Sequence, residues 1–484
     1  MGIRLGIAAS ALLAAVALGA ALAARRAGLA VTGDLPAKVL VLGAHYVERR
    51  DVGYRAEGLG LYLEHCSVCH GDRASDAAAL GSNASRGDLA LFRLIRGGAR
   101  SASMPDFTGR LSPSQTLRIV SYLGSGAGGE PAASLSAPGP LADGSYEILV
   151  VDGGLRIYRL DAGYAEVRQV RIPDLIDPRG CAASAVTGRL YVAYRKDLSA
   201  PEIRRQGVGW LSAIDLHSWQ VLWTRAYAPS VDSFALAPDG RTLYMPSGEG
   251  RGVGTWLALD ALDGDVLGEL RFGEGAHNTI VGPTGERVYL GALGSRDLGV
   301  ADARSLRLLR TIGPFGERIR PFAIDGRETF AFVNVDFLSG FEVADLRTGR
   351  VLHRVVVEGY PWKDPPLPLA QSHGIALTPD ERELWVADAY NRRVHVFDVS
   401  DLPARPRQIA SVSVADERYP YLEPKWIRVS RDGRWVHVST GAVISAATRR
   451  VVHRIPATKH FLEVEVRGGE PVAAYSRYGN GYAR

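Results

Sequence analysis

The sequence predicts a multidomain chain in which a small all-α domain is followed by a large all-β domain, behind an N-terminal export or anchor helix. Three observations predict this. An almost uninterrupted apolar run occupies residues 5–24. Between residues 51 and 124, apolar residues recur at helical spacing around a pair of cysteines. From about residue 145 onward, short alternating strands and tight turns repeat along the chain.

The composition is that of ordinary globular domains. The 484 residues are 46% hydrophobic and 23% charged, which is enough for one small and one large domain. The net charge of +5 is small and its residues are dispersed, so the sequence does not support nucleic-acid binding. Of the three cysteines, Cys181 stands apart from the other two, and we expect it to be a buried apolar residue.

The apolar run at residues 5–24 predicts export from the cytoplasm. It consists almost entirely of Ala, Leu, Gly, Val and Ile, between Arg4 and the pair Arg25-Arg26. Ala21-Leu22-Ala23 fits the small residues of a signal-peptide cleavage site, whereas the length approaches the ~20 apolar residues that span a bilayer. Residues 1–26 are therefore either a cleaved signal peptide or a retained membrane anchor, and residues 27–50 form a spacer.

The run Cys66-Ser67-Val68-Cys69-His70 carries the most specific chemistry in the sequence. Two thiols one helical turn apart can add to the vinyl groups of one haem, and the next residue places an imidazole on the iron. A zinc site would need a second pair of ligands at similar spacing, and a thioredoxin-like pair would lie in a βαβ pattern. Neither pattern is present, so Cys66 and Cys69 are predicted thioether anchors and His70 the proximal iron ligand.

The residues around this motif follow a recognisable order. A helix is predicted over residues 55–65, a glycine-rich loop over residues 97–107 supplies Met104, and Ser112-Pro113 opens a second helix. This order closely resembles class I cytochrome c, in its small bacterial form, across residues 51–124. The resemblance implies one covalent haem c, with Met104 as the distal iron ligand. A haem iron whose two axial positions are occupied by His and Met transfers electrons and does not activate oxygen.

The resemblance also implies a cell compartment. Haem is attached to such proteins outside the cytoplasmic membrane in bacteria. We therefore expect a periplasmic protein that is soluble or tethered to the inner membrane through residues 5–24. Arg25-Arg26 follows the apolar run, and the positive-inside preference would place these arginines in the cytoplasm. We give the haem motif more weight, because it requires the following domain to lie outside the cytoplasm.

A Gly-, Ala-, Ser- and Pro-rich linker is predicted over residues 125–144. Beyond it, units of four short strands recur at intervals of ~41 to 55 residues, the signature of a β-propeller. Six units are marked by turn residues, which are Gly188, Gly240, Gly285, Gly326, Asp380 and Gly433. Residues 146–172 lack a matching first strand, and residues 461–466 form a lone terminal strand that can complete them. The sequence thus predicts an all-β, seven-bladed propeller over residues 145–484.

These repeats resemble the YVTN or lactonase-like propeller family across roughly residues 146–466. The resemblance lies in the period and in the turn residues. It implies the fold and says little about activity, because propellers support many functions.

Superposing the repeats brings polar residues to the start of several innermost strands. They are Asp232, His277, His373 and Lys425, with Arg320 and Arg179 nearby. Since innermost strands begin at one mouth of the central channel, we expect these side chains to converge. Their joint desolvation favours a bound ligand, and the basic majority favours a small anionic one. His277 and His373 are the candidate catalytic residues, because imidazoles with a pKa near neutrality can move protons.

Three alternatives were weighed for this channel. His277-Asn278 and Ser372-His373-Gly374 are similar to positions in copper propellers of the nitrous oxide reductase type, but two imidazoles are too few for a multinuclear copper centre. Nitrite reductases of the cytochrome cd1 type and their haem d1 biosynthesis relatives also join a cytochrome c to a propeller, of eight blades. Finally, water alone can solvate a polar channel mouth.

The sequence therefore predicts an exported monohaem cytochrome c for electron transfer, joined to a propeller that binds a substrate, a cofactor or a redox partner protein. One alternative is a non-catalytic docking scaffold, and another is a haem d1-type oxidoreductase. Whether the chain is a haem-c-dependent oxidoreductase stays open, as do its substrate and any second cofactor in the propeller.

Overall fold

The computed structural model describes residues 139–172, 175–195, 208–362, 370–417 and 422–475, together with residues 61–62, 65–66, 92, 95, 107, 110–111, 115–116 and 119–120. The chain divides into two compact units, Met1–Ala132 and Ala133–Arg484. The predicted export segment and spacer lie outside the described residues, as do Cys69, His70 and Met104.

Most of the described residues of the first unit are helical, and the buried apolar ones form one cluster. Its buried members are Tyr62, Cys66, Ile95, Phe107, Leu111, Ile119 and Val120. Tyr62 and Cys66 are four residues apart and share a helix face, because the amide of Cys66 donates to the carbonyl of Tyr62 at 2.8 Å. The predicted helical spacing around the motif is thus present in the structure.

The second unit is built from β-strands. The first fourteen are β1 Gly144–Val151, β2 Gly154–Arg159, β3 Ala165–Arg171, β4 Ile176–Ser184, β5 Arg189–Arg195, β6 Gly209–Asp215, β7 Val221–Tyr227, β8 Ala235–Leu236, β9 Thr242–Pro246, β10 Gly248–Asp260, β11 Val266–Val281, β12 Arg287–Ala292, β13 Leu298–Asp302 and β14 Arg307–Ile312. The next fourteen are β15 Ile319–Ile324, β16 Phe330–Val335, β17 Gly340–Asp345, β18 Val351–Val356, β19 Ser372–Leu377, β20 Glu383–Asp388, β21 Arg393–Asp398, β22 Arg407–Ser413, β23 Ile427–Val429, β24 Trp435–Val438, β25 Ala442–Ser445, β26 Arg450–Arg454, β27 His460–Arg467 and β28 Glu470–Tyr475. One 3₁₀ turn, Leu160–Ala162, precedes β3.

These strands form six antiparallel sheets among the described residues. Four of them have four strands in chain order, which are β4 to β7, β15 to β18, β19 to β22 and β23 to β26. A fifth has the order β28-β27-β1-β2-β3, and a sixth has seven strands, β14 to β8. Successive four-stranded antiparallel sheets of this kind are consistent with a β-propeller.

The seven-stranded sheet contains two of the four-stranded repeats. Strand β11 is 16 residues long, and residues 266–276 of it pair with β10. From residue 276 onward the same strand pairs with β12. The outermost strand of one repeat therefore continues directly into the innermost strand of the next.

The first and last parts of the unit close on each other in one sheet. Strand β27 pairs with β1 from Val150↔His460 to Gly144↔Val466, so a terminal strand completes the first repeat as the sequence predicted. The structure adds a strand that the sequence analysis missed. Strand β28 folds back on the other edge of β27 through Gly468 and Gly469, which both have positive φ angles (63° and 78°).

Burial follows the position of each strand in its sheet. Innermost strands such as β15 and β19 are almost wholly buried, whereas outermost strands such as β7 and β14 are mostly exposed. Apolar clusters fill the space between adjacent sheets, and Cys181 lies in one of them, as expected. The innermost strands are therefore fixed in register by packing, which holds the residues at their starts in place.

Candidate functional site

The described part of the cytochrome segment fits a covalently bound haem. Cys66 is buried among the apolar side chains of its unit, where a thioether to an apolar porphyrin edge is well accommodated. Its helical bond to Tyr62 sets the turn that begins the Cys-x-x-Cys-His run. The other predicted ligands, Cys69, His70 and Met104, stay predictions because they lie outside the described residues.

At the channel mouth, Asp232 is the centre of the first ion cluster. Its carboxylate is 1% exposed, accepts from Arg179 Nη2 at 2.8 Å and lies 3.1 Å from His277 Nδ1. The backbone amide of Ser233 donates to the same carboxylate at 2.8 Å. Burial alone would raise the pKa of Asp232, but Arg179 and His277 together lower it below its usual value. Asp232 is thus an ionised, buried anchor for two cationic side chains.

Arg320, the second residue of β15, is held in a second ion pair. Its Nε and Nη2 atoms donate to the two carboxylate oxygens of Asp336 at 2.5 and 3.0 Å. Asp336 is buried in the turn between β16 and β17. This fork-to-fork geometry fixes the guanidinium and neutralises much of its charge.

His373, in β19, lies within electrostatic range of His277, Lys425 and Arg320. Its Nδ1 is 2.8 Å from the carbonyl oxygen of Lys425, and its ring meets the Trp426 ring edge-on at 4.9 Å. Burial, reinforced by these cations, lowers the pKa of His373 to about 3. The ring is therefore neutral, its Nδ1 donates to the carbonyl, and its Nε2 is an acceptor. Such a ring is a poor proton carrier near neutral pH. The expectation that the pKa of His373 lies near neutrality is therefore wrong.

The structure brings further residues to this mouth that sequence reasoning missed. Asp177 receives a hydrogen bond from Arg195 Nε at 2.6 Å. His460 begins β27, and burial, together with Lys459 and Arg179, lowers its pKa to about 3. His460 starts its strand much as His373 lies near the start of β19, so aligning the terminal strand with the other repeats would have found it.

The charges at this mouth are close to balanced within the described part of the chain. Arg179, Arg195, Arg320 and Lys425 pair with Asp232, Asp177, Asp336 and Glu423, respectively. Lys459 is a further cation. The basic majority expected from the sequence therefore shrinks once Asp177, Asp336 and Glu423 are counted. The loosest pair is Lys425 with Glu423, at 3.4 Å and with side chains 33% and 27% exposed.

A cavity of about 520 Å³ runs beneath the mouth between the innermost strands. Residues that directly follow the predicted mouth residues line it, among them Ser233, Asn278, Pro321 and Trp426. His460 and Tyr475 line it as well, so β28 borders the cavity. Its size suits a small molecule.

Two features are absent from the described residues. No group of three or more His, Cys, Asp or Glu side chains there could hold a metal ion. No helix in the described part is both long and apolar enough to cross a membrane.

One segment of the first unit matches a known protein family. Residues 55–123 match the family model described as cytochrome c oxidase, cbb3-type, subunit III. No curated protein sequence matches the chain. The cytochrome c domain suggests haem-based electron transfer and implies covalently bound haem.

Comparison with solved structures concerns mainly the second unit. A protein from Lactobacillus plantarum has 15% identity and a TM-score of 0.54, over 67% of this chain and 100% of that one. The periplasmic gluconolactonase PpgL of Pseudomonas aeruginosa has 18% identity and a TM-score of 0.51, over 68% and 98%. The dihydro-heme d1 dehydrogenase NirN has 15% identity and a TM-score of 0.48, over 87% and 97%. At these identities the first two similarities show the fold alone. The chain thus carries a c-type cytochrome segment and a β-rich unit with the fold of lactonase-type propellers.

Proposed function

We propose that this chain is a periplasmic electron-transfer protein in which one haem c serves a seven-bladed propeller that binds a ligand or a redox partner protein. The observation that carries the proposal is the Cys-x-x-Cys-His run, which lies inside the segment that matches a c-type cytochrome family. Cys66 and Cys69 would hold the haem, and His70 and Met104 would ligate its iron. When bound, the haem supplies one-electron chemistry.

Seven blades follow from counting β11 in both of the repeats that it joins. The five-stranded sheet then supplies one blade, the seven-stranded sheet two, and the other sheets one each. Each blade has an innermost strand that begins near the residues of the channel mouth. The propeller would thereby position side chains from several blades around one ligand.

The side chains at the channel mouth favour a small anionic ligand that also carries a hydrogen-bond donor. Lys459 and the loosely paired Lys425 are available to an anion, since the side chains of Lys425 and Glu423 are 33% and 27% exposed. His373, with Nδ1 engaged, presents Nε2 as an acceptor for an O–H or N–H group. Arg179 and His277 are both held by Asp232 and would orient the ligand.

The test is a double variant, His277→Ala with His373→Ala, in the haem-loaded full chain. Rates of haem reduction and oxidation would be measured with a panel of small oxyanions and hydroxy acids. We expect the double variant to lose any anion-dependent rate while keeping the haem spectrum of the wild type and a cooperative thermal melt. His217→Ala is the matched control, because His217 is half exposed in the turn between β6 and β7.

Unchanged rates in a normally folded double variant would show that the mouth is not a ligand site and would favour the docking scaffold. Absorbance in the purified wild type beyond that of haem c would instead indicate a second cofactor and favour the haem d1-type alternative. Both outcomes can be read from the same preparation.

A further inference from the structure

A second group of ionisable side chains lies buried where the last sheet of the unit meets the first. It comprises Glu147 on β1, Glu463 on β27, Arg428 on β23 and His437 on β24. Their exposed fractions are 0%, 5%, 2% and 1%. At such burial an unbalanced charge is very costly, so the charges within the group must nearly cancel.

The two carboxylates of this group oppose each other directly. Glu147 and Glu463 are cross-strand partners in the pairing of β1 with β27, a position where like charges destabilise a sheet. Arg428 reaches both of them. Its Nη1 donates to Glu463 Oε2 at 2.8 Å, and its Nη2 donates to Glu147 Oε2. One guanidinium can neutralise one carboxylate, so one negative charge stays uncompensated.

The imidazole beside the carboxylates does not supply a second positive charge. His437 Nε2 lies 3.0 Å from the hydroxyl of Tyr164, and its Nδ1 lies 3.4 Å from Arg428 Nη2. Burial, reinforced by Arg428, lowers the pKa of His437 well below its usual value. The ring is therefore neutral at physiological pH.

The tyrosines around the group are also neutral. Burial raises the pKa of Tyr164 far above its usual value. Tyr158, opposite Glu147 on β2, donates to Glu166, and burial likewise raises its pKa. Asp432, in the turn after β23, is exposed and paired with Arg434, so it leaves the net charge of the buried group unchanged. A proton on one of the two carboxyls would balance the remaining negative charge.

The two carboxylates are not equivalent, and the difference shows which one carries the proton. Glu463 Oε2 accepts from both Arg428 and the amide of Arg431, at 2.8 and 3.1 Å. Glu147 Oε1 is fully buried and has no hydrogen-bond partner among the described residues. An ionised oxygen is costly in that position, and a protonated one is less so. Burial raises the pKa of Glu147 to about 8, with Arg428 acting against it.

We propose that Glu147 is a proton-binding site built into the closure of the propeller. The closed ring holds one solvent-derived proton on this carboxyl, which the unfolded chain releases at neutral pH. The site joins the strand that opens the β-unit to the strand that completes its first sheet, so protonation and ring closure are coupled. It stands independently of the function proposed for the channel mouth.

The test compares Glu147→Gln with the wild type, in the haem-loaded full chain, by urea unfolding between pH 6 and 8. Glutamine has the shape of a protonated glutamate and cannot ionise. The ratio of the wild-type unfolding constant to that of the variant should rise about tenfold per pH unit, because the native wild type must keep a proton that its unfolded chain has lost. Glu286→Gln removes an exposed carboxylate and should leave the wild-type pH dependence unchanged.

Infrared spectroscopy gives a second readout that does not depend on unfolding. At pH 6.5 the wild type should show the carbonyl stretch of a buried protonated carboxyl, shifted in D₂O and titrating away near pH 8. Glu147→Gln should lack this band. Glu463→Gln should lack it too, because Arg428 then has Glu147 as its remaining counter-ion.

A constant ratio of unfolding constants across this pH range would overturn the proposal. If Glu147→Gln does not fold, the wild-type spectrum decides alone. No protonated carboxyl band at pH 6.5 refutes the site, and a band that titrates near pH 8 supports it.

Discussion

Replacing His460 by Gln should remove a defined part of the acid sensitivity of the propeller. In the native chain, burial lowers the pKa of His460 to about 3, from an ordinary value of 6.5. As pH falls below 6.5, the unfolded chain gains a proton on this residue and the native chain does not. Stability that is present above pH 6.5 is therefore lost progressively down to about pH 3.

The size of the effect follows from the pKa difference. At pH 4.5, two pH units below the ordinary value of 6.5, the linkage amounts to about 3 kcal/mol, or roughly a hundredfold in the unfolding constant. His373 and His437 are subject to the same linkage, so the wild type should lose more than this in total. The free energy of unfolding of His460→Gln should therefore fall less than that of the wild type, and the difference is the contribution of His460.

The assay is urea unfolding at pH 7.5 and pH 4.5, followed by tryptophan fluorescence. All eight tryptophans follow residue 200, so this signal reports the propeller, while haem absorbance reports the cytochrome domain. His217→Gln is the control, since its side chain is half exposed. If His460→Gln and the wild type lost the same free energy of unfolding between the two pH values, the neutral, buried state of His460 would be refuted.

Two further predictions concern the haem. Met104→Ala should leave the haem covalently attached and abolish the sulfur-to-iron charge-transfer band. The reduction potential should fall, on the order of 0.1 V or more, because methionine favours ferrous iron. An unchanged spectrum in a redox titration would exclude Met104 as a ligand. Replacing Cys66 or Cys69 by Ser should sharply lower the yield of haem-stained protein on a denaturing gel, since one thioether is lost, and wild-type staining in both variants would disprove the attachment.

The convergence at the channel mouth could be predicted because it depends on the repeat. Asp232, His277 and Lys425 each lie at or just before the start of an innermost strand, and aligning the turns is enough to bring them together. Asp336 could not be found in this way, because it follows a second strand and reaches the mouth through the turn to the third. Its carboxylate nevertheless changes the charge of the mouth.

The buried group around Glu147 could not be predicted from the sequence pattern, for a different reason. Charged residues that alternate with apolar ones along a strand, as in β27, predict a solvent-facing side. Here both faces of the sheet are covered by neighbouring sheets, so the polar side is buried as well. Strand β28 did leave a signal, since Gly468-Gly469 between two short apolar stretches predicts a tight hairpin.

Strand β11 limits how the propeller could change in size during evolution. Repeat proteins gain and lose units at the loops between them, where a break disturbs neither neighbour. The repeats that share β11 offer no such loop, because any break there would cut a continuous strand and expose the hydrogen-bonding edges of both. We therefore expect an insertion between these two repeats to destabilise the chain more than an insertion of the same length between two repeats that are joined by a loop.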